Sequence, residues 1–375
     1  MTERLKYPAN ARVTMEPLTI KDQFKKFGIK ALLGFQTVMV FGIGRKLGIF
    51  DYLYTKATKQ CSEPESIADV SFSPGEIASG LGLDPYYIDG WLHMAIECGI
   101  FERDAQAPGM LKTAPHLFHL LVNRDHPFYI GNNLAGFYMV CGYQDNLVNG
   151  FKTGQFGKWD DLPRDLRLEA NKMSASLGRR VIDVFEKHCR EQHKVLRKGG
   201  RVLEIGCGFG VNLENWAGKY VNARFDGIDI DHDSIVAAGE RFGARSKWGD
   251  RVAVAEMDAP SFAKNHRDSY DIIIVNQVLH EIPRESERRA VLDAAHSMLK
   301  AGGIAVVGEE VVPSILENPG KNVLFEVMHK WFEVILGSRF YSDAGFRALV
   351  DSTTFGSQKE LVQEGGVYFW KLVRR

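Results

Sequence analysis

Residues 201–210, Arg201-Val-Leu-Glu-Ile-Gly-Cys-Gly-Phe-Gly210, constrain the fold of this 375-residue chain more than any other stretch. Val202, Leu203 and Ile205 read as a short buried strand with Glu204 near its end, and Gly206, Gly208 and Gly210 alternate after it. Glycines there permit positive φ and let a ligand come close to the backbone. Val211 to Tyr220 then reads as a helix. A strand, a glycine loop and a helix N-terminus together build a nucleotide-type site in an open α/β sheet.

The details select among nucleotides. A dinucleotide fingerprint places its third glycine three residues after the second, where this chain has Val211. Glu204 would also set a carboxylate near an incoming pyrophosphate, which opposes an NAD oxidoreductase. The same carboxylate suits a cofactor carrying an ammonium and a sulfonium, as S-adenosylmethionine does. Downstream, Arg224–Ile230 reads as a second strand with Asp229 near its end, 23 residues after Gly206. That is close to the roughly 20 expected of an acid gripping a ribose diol. Asp231 offers the same chemistry two residues on, or caps the helix of Ser234–Phe242. Val252–Met257 reads as a third strand ending at Asp258, placed to receive the adenine amino group, with Met257 or Ala259 against the ring.

Glu204-Ile-Gly-Cys-Gly-Phe-Gly210, Gly227-Ile-Asp-Ile-Asp231, Met257-Asp258, Asp271–Pro283 and Gly302–Glu310 together resemble class I S-adenosylmethionine-dependent methyltransferases. More closely, the chain resembles the small-molecule O-methyltransferases with an N-terminal winged-helix dimerisation domain, a group of plant phenolic and bacterial polyketide-tailoring enzymes. The resemblance is strongest over 201–310. It implies a Rossmann-like α/β sheet of seven mostly parallel strands with an antiparallel last strand, preceded by a mainly helical winged-helix domain. It also implies S-adenosylmethionine as cofactor, S-adenosylhomocysteine as product, Asn276 among the cofactor-site residues, and a homodimer.

The expected division is a helical, winged-helix and substrate-lid domain at 1–190 and a cofactor-binding catalytic domain at 191–375. In the first, Ser73-Pro-Gly-Glu76 is a helix start with serine cap, proline and a glutamate three residues on. Tyr86–Cys98 reads as a second helix, and Ile100–Arg103 and Met110–Thr113 as a two-strand wing. A recognition helix needs basic or amide side chains, and Tyr86–Cys98 has no Lys, Arg, Asn or Gln. DNA binding is therefore not expected, nor is a winged-helix regulator that senses the cofactor. Phe24, Phe27, Leu32, Leu33, Phe35, Val38 and Phe41 give residues 20–56 more apolar surface than one core face needs, which marks an oligomer contact. Lys194–Arg201, with Gly199-Gly200, reads as a flexible basic entry to the second domain. There strands alternate with helices, including 285–300, and the strand Ile304–Gly308 is followed by a final hairpin of Glu360–Gln363, Gly365-Gly366 and Val367–Val373.

Formal charge is zero, with 47 basic and 47 acidic residues, so nothing suggests a polyanionic partner or an acidic membrane surface. The apolar run Ala31–Gly44 is too short to span a bilayer. Five scattered cysteines, Cys61, Cys98, Cys141, Cys189 and Cys207, fit a reducing compartment. With no signal core at the N-terminus, the expectation is a cytoplasmic protein.

His280 lies just beyond the carboxyl end of the strand Asp271–Gln277, where ligands bind in open α/β sheets. A phenol with a pKa of about 10 is mostly neutral at pH 7, so a histidine base matches the task. By resemblance His280 is that base, and Glu309 is one of two glutamates flanking it in plant members. The second belongs just before a helix at Ser342–Asp351, where the chain reads Gly337-Ser-Arg-Phe-Tyr-Ser342 with no acid. Glu281 and Glu326 are candidates to replace it. Phe137, Tyr138 and Met173 in the aromatic-rich region 120–190, and Met328, His329 and Phe332 in a helix at 322–337, are candidate substrate contacts. The remaining histidines show no metal-ligand spacing, and no metal is expected. The readings that follow are a small-molecule O-methyltransferase, a carbon or nitrogen methyltransferase, and a cofactor-retaining hydroxylase or cyclase on the same scaffold.

Overall fold

The computed structural model describes residues 19–60, 70–124, 126, 128–154, 162–243, 246–313, 316, 324–334, 337–364 and 367–375. The chain divides between Gly142 and Tyr143 into two compact units, each with its own core. The first holds the helices α1 (Ile20–Lys46), α2 (Ile49–Gln60), α3 (Pro74–Leu81), α4 (Pro85–Glu97), α5 (Leu117–Leu121) and α6 (Gly131–Val140). It also holds the antiparallel strands β1 (Ser71–Phe72), β2 (Phe101–Arg103) and β3 (Leu111–Thr113), in the order β1-β3-β2.

The sequence signals for this unit act as expected. The Ser73 hydroxyl accepts from the Glu76 amide ahead of Pro74, and Gly82 closes α3 in the left-handed conformation. Asp84 caps α4. Phe41, Phe50, Trp91 and Phe101 pack ring against ring, and the Trp91 indole donates to the Val40 carbonyl at 3.0 Å. The outward side of α4 presents Tyr86, Tyr87, Asp89 and His93 with no cation. Taken whole, α1 is a 27-residue helix long and apolar enough to cross a membrane. Val40 and Phe41 near its end are buried in the unit's core, whereas Phe24, Phe27 and Leu32 are exposed.

The second unit begins with α7 (Gln144–Thr153), α8 (Arg164–His188) and α9 (Arg190–Lys198). The structure thus groups residues 143–190 with the sheet, not with the N-terminal helices, because Val181, Ile182 and Phe185 of α8 are buried against Trp216, Tyr220 and Phe369. Nor is 194–198 a flexible linker: it is the last part of α9, anchored by the fully buried Leu196. The sheet follows as β4 (Arg201–Ile205), α10 (Val211–Lys219), β5 (Arg224–Asp229), α11 (His232–Phe242), β6 (Val252–Glu256), α12 (Ala259–Ala263), β7 (Tyr270–Asn276), α13 (Glu285–Met298), β8 (Leu299–Gly308), α14 (Leu324–Val334), α15 (Asp343–Asp351), β9 (Lys359–Glu364) and β10 (Val367–Val373).

The strand order is β6-β5-β4-β7-β8-β10-β9. Strands β4 to β8 pair in parallel, and β10 runs antiparallel between β8 and β9. The order reverses at β4, which has β5 on one side and β7 on the other, so the carboxyl ends of β4 and β7 flank the crevice where ligands settle in such sheets. Val202, Phe225, Ile272 and Ile304 face one helical layer, and Leu203, Ile273, Ala305 and Trp370 face the other. Burial on both faces explains why these strands are nearly continuous apolar runs. The Gly365-Gly366 turn lies outside the described residues.

Candidate active site

The glycine loop leaves β4 with Gly206, Gly208 and Gly210 at φ of +71°, +49° and +74°. Positive φ disfavours any side chain there, and at Gly206 a Cβ would stand only 2.3 Å from Val278 Cγ2. The Gly206 and Cys207 amides donate to the Ile228 carbonyl, and the Gly208 amide donates to Asp229 Oδ2 at 2.7 Å. The loop is therefore stitched to the end of β5.

Glu204 is buried on this side of β4. Its Oε1 accepts from Asn212 Nδ2 at 2.6 Å, whereas its Oε2 and the Asn212 Oδ1 are buried with no protein partner. Burial pushes the Glu204 carboxyl up to about 8; the Asn212 bond opposes the rise and the Asp229 charge adds to it. Unpartnered buried acceptors are uncommon in folded chains. Two beside a glycine loop make a place for a ligand donor, and an ammonium fits it.

Asp229 accepts from the Gly208 amide on one oxygen and from the Asp231 amide on the other, at 2.9 Å, so each oxygen keeps acceptor capacity. Asp231 differs. It is buried, and its two oxygens are taken by Arg167 of α8 and by the Ser234 hydroxyl. It occupies the cap position of α11 without capping it. Asp258 does cap, accepting from the Ser261 amide at 2.8 Å, and that bond holds its carboxyl below the usual range. The Ser261 hydroxyl bonds the same carboxylate. Met257 is partly exposed beside it and Ala259 is buried. Asn276 ends β7, where the bare Gly308 backbone admits it; a Cβ at 308 would meet Asn276 Oδ1 at 2.1 Å.

Beyond β7, a single turn, Leu279–Glu281, carries His280. Its imidazole is almost fully buried, with Nδ1 bonded to Glu309 Oε2 at 2.8 Å. Glu309 Oε1 accepts from the Val278 and Leu279 amides at 3.1 and 2.7 Å. One carboxylate thus orients both the ring and the backbone that carries it. Phe340 stacks on the imidazole at 4.7 Å, and the Arg339 amide donates to the His280 carbonyl.

A second acid stands near the His280 ring: Glu333, near the end of α14, is buried with Oε2 at 4.0 Å from His280 Nε2 and accepts from the Ser338 hydroxyl. Sequence reasoning missed it by searching the 337–342 segment, which contributes Ser338 and Phe340 instead of an acid. Burial alone would lower the His280 pKa, but the charge and hydrogen bond of Glu309, then the charges of Glu333 and Glu281, raise it to about 9. His329 sits beside it at 5.9 Å between ring centroids. Burial likewise opposes its charge, and the bonds to Glu310 and Glu333 lift it to about 10. Glu333 is desolvated too, yet the two histidines hold it below the usual carboxylate value.

The remaining candidates are spread. Met328 is partly exposed on α14, next to His329. The side chains of Met173 and Phe332 lie outside the described residues. Phe137 and Tyr138 belong to the N-terminal unit, where the Tyr138 ring covers the bare backbone of Gly42 and carries the Lys46 ammonium at 5.4 Å. Asn212 and Arg167 were missed as well. Asn212 follows the glycine loop by two residues, a signal within reach, whereas Arg167 lies 64 residues before Asp231.

Residues 203–305 match the sequence profile of a methyltransferase domain. Among curated proteins, the ubiquinone biosynthesis O-methyltransferase of Psychrobacter cryohalolentis is 27% identical over 130 residues. That match covers 35% of this chain and 46% of the relative, so less than half of the relative's length is spanned. Among solved structures, human N-acetylserotonin methyltransferase in complex with SAM superposes with a TM-score of 0.70 at 16% identity, covering 96% of this chain and 99% of that one. PigF with SAH superposes at 0.71 and 15% identity, covering 96% and 100%. At these identities the likeness is one of fold, and it extends over both units.

Asp231→Ala should destabilise the protein by about 3 kcal/mol in urea unfolding, at the low end for a broken buried pair. The Arg167 guanidinium would lose its bond to a buried carboxylate and keep the one to the half-exposed Asp233. A loss below roughly 1 kcal/mol, the range of an exposed pair, would mean that Asp231 is free to serve a ligand instead.

Proposed function

We propose that this chain, whose residues 203–305 are a class I S-adenosylmethionine-dependent methyltransferase domain, methylates a hydroxyl of a small aromatic or polyketide-like molecule with His280 as general base. The observation that carries this reading is the His280–Glu309 pair at the carboxyl end of β7, with Nε2 4.0 Å from Glu333. With the ring pKa raised to about 9, Nε2 is able to take a proton only in the neutral fraction, which grows as pH rises toward 9. The crevice next to it suits the cofactor by its own chemistry. Glu204 Oε2 and Asn212 Oδ1 would meet the ammonium, Asp229 the ribose diol, and Asp258 the adenine amino group. Met257, Ala259 and Asn276 complete that set. Asp231 acts through Arg167 and Ser234 as a support of the loop.

When bound, S-adenosylmethionine supplies a methyl group already activated by its sulfonium, and S-adenosylhomocysteine is left as product. The chain's own task is to hold the acceptor in line and remove its proton. His280 Nε2 accepts that proton; Glu309 fixes the tautomer and stabilises the imidazolium, as a carboxylate does behind other catalytic histidines. Glu333 stands on the opposite side of the ring and adds to the same stabilisation. Met328 and His329 on α14 are the substrate contacts this reading favours within the second unit. A base of this kind contributes roughly 10²–10⁴-fold.

The same reading makes the protein a cytoplasmic homodimer, with the exposed apolar face of α1 at Phe24, Phe27 and Leu32 covered by a second copy. Light scattering without detergent should give twice the chain mass, and Phe27→Glu with Leu32→Glu should give the monomer mass. A monomeric wild type, or a protein extracted only with detergent, would reject this part.

Incubation with labelled S-adenosylmethionine and a panel of phenols, enols and amines should label an oxygen acceptor. His280→Ala should cut that rate at least roughly 100-fold with S-adenosylhomocysteine affinity retained. An unchanged rate removes His280 as base; label only on carbon or nitrogen moves the acceptor class.

Glu204 sets a proton linkage. With its pKa near 8 in the free protein, it is protonated at pH 7, and an arriving ammonium favours the ionised form. Binding should therefore release about one proton at pH 7, and affinity should rise with pH until about 8. Calorimetry in buffers of different ionisation enthalpy reads this directly. Glu204→Gln should abolish the release and weaken binding; a buffer-independent heat for the wild type would remove Glu204 from the ammonium site.

A further inference from the structure

We propose that His280, His329 and Glu333 form a binding site for one divalent zinc ion. One ligand atom from each lies within 4.8 Å of the others. His280 Nε2 stands 4.0 Å from Glu333 Oε2, and His329 Nε2 stands 3.6 Å from Glu333 Oε1. Tetrahedral zinc at bond lengths of about 2.0–2.2 Å brings its ligands to roughly 3.3 Å from one another, so closing the site takes shifts from about 0.3 Å between His329 and Glu333 up to about 1.5 Å for a pair 4.8 Å apart. Two histidines, one glutamate and an open fourth position is a ligand set that zinc takes.

The second observation is the pair of carboxylates behind the rings. His280 Nδ1 bonds Glu309 at 2.8 Å, and His329 Nδ1 bonds Glu310 at 2.9 Å. Metal-binding histidines characteristically donate their other ring nitrogen to a carboxylate, which fixes the tautomer and points the free lone pair at the ion. Both rings here are fixed that way, with both Nε2 atoms toward one carboxylate. The Ser338 hydroxyl holds that carboxylate, and Phe340 packs on both imidazoles. His329 and Glu333 are four residues apart on α14, a spacing that puts both on one helix face. The third ligand lies 49 residues earlier, so no local spacing announces the set.

The consequence reaches past the proposed reaction. A zinc ion on His280 Nε2 occupies the lone pair that would take the acceptor's proton. Zinc binding and general-base catalysis by His280 are then mutually exclusive, and the ion is an inhibitor.

Untagged protein, stripped by chelator, is titrated with zinc by calorimetry and by competition with a chromophoric chelator. The wild type should bind one ion per chain. His329→Ala and Glu333→Gln should each weaken binding by roughly 100-fold or more, as lost metal ligands do, while keeping wild-type affinity for S-adenosylhomocysteine. No stoichiometric binding, or a folded variant that binds as the wild type does, overturns the proposal. Should a variant lose S-adenosylhomocysteine affinity, cobalt(II) substitution in the wild type decides. An intense four-coordinate spectrum supports the site, and a weak octahedral one overturns it. The methyltransferase reading fails separately: a wild type that binds zinc but not S-adenosylhomocysteine loses that function and keeps this site.

Discussion

Glu309 is the interaction on which the turn after β7 depends. One buried carboxylate leaving β8 accepts from two consecutive amides of the turn after β7 and from the imidazole that this turn carries. Hydrogen bonds to an ionised acceptor are short and strong, and each donor here would be costly to leave unpaired in the interior. Removing the carboxylate would therefore release the ring and loosen the backbone together. Position and tautomer of His280 come from the same side chain.

The crevice at β4 follows a complementary rule. Where Glu309 is saturated with donors, Glu204 is left with an unpartnered oxygen in a place that water does not reach. Folding tolerates such a group when the surrounding structure holds it in place. Here the loop is tied to β5, α10 follows it at once, and Val278 fills the space a side chain at Gly206 would need. The two carboxylates differ in one respect: Glu309 is bonded on both oxygens, and Glu204 Oε2 is not.

Around His280 the charges act as a group, two imidazoles among three carboxylates. Two imidazoles raised by burial-resistant ion pairs share Glu333, and each has its own carboxylate behind it. This arrangement makes His280 a stronger base in its neutral form than a solvent histidine, because its protonated form is stabilised on both sides. It also explains how the chain manages without an acid in the 337–342 segment: Ser338 positions a glutamate borrowed from the preceding helix.

Most of the sheet was legible in advance because its signals are local. Apolar runs of five to seven residues, punctuated by glycines and strand-end acids, outlined β4, β5, β6 and β7 within a residue or two, and Ser73 marked the start of a helix in the first unit. Glu204, Asp229 and His280 were singled out as candidates because each sits near a strand end, and Glu309 because the resemblance implied it. The linear chain was silent wherever two distant segments had to meet. It favoured Asp229 over Asp231 for the ribose because Asp231 lies next to a helix start, but it gave no sign that Arg167 of α8 pairs with Asp231. It placed residues 143–190 with the first domain, although packing of Phe185 against Trp216 assigns them to the second. It named Glu309 beside His280 but not the second acid, because Glu333 reaches that imidazole from another helix. Hydrophobic periodicity and turn chemistry are properties of neighbours in sequence, so the sequence determined the strands, the glycine loop and the acids that flank it. Charge pairing in a buried site is a property of neighbours in space, and only the tertiary structure decided which carboxylate each cation received.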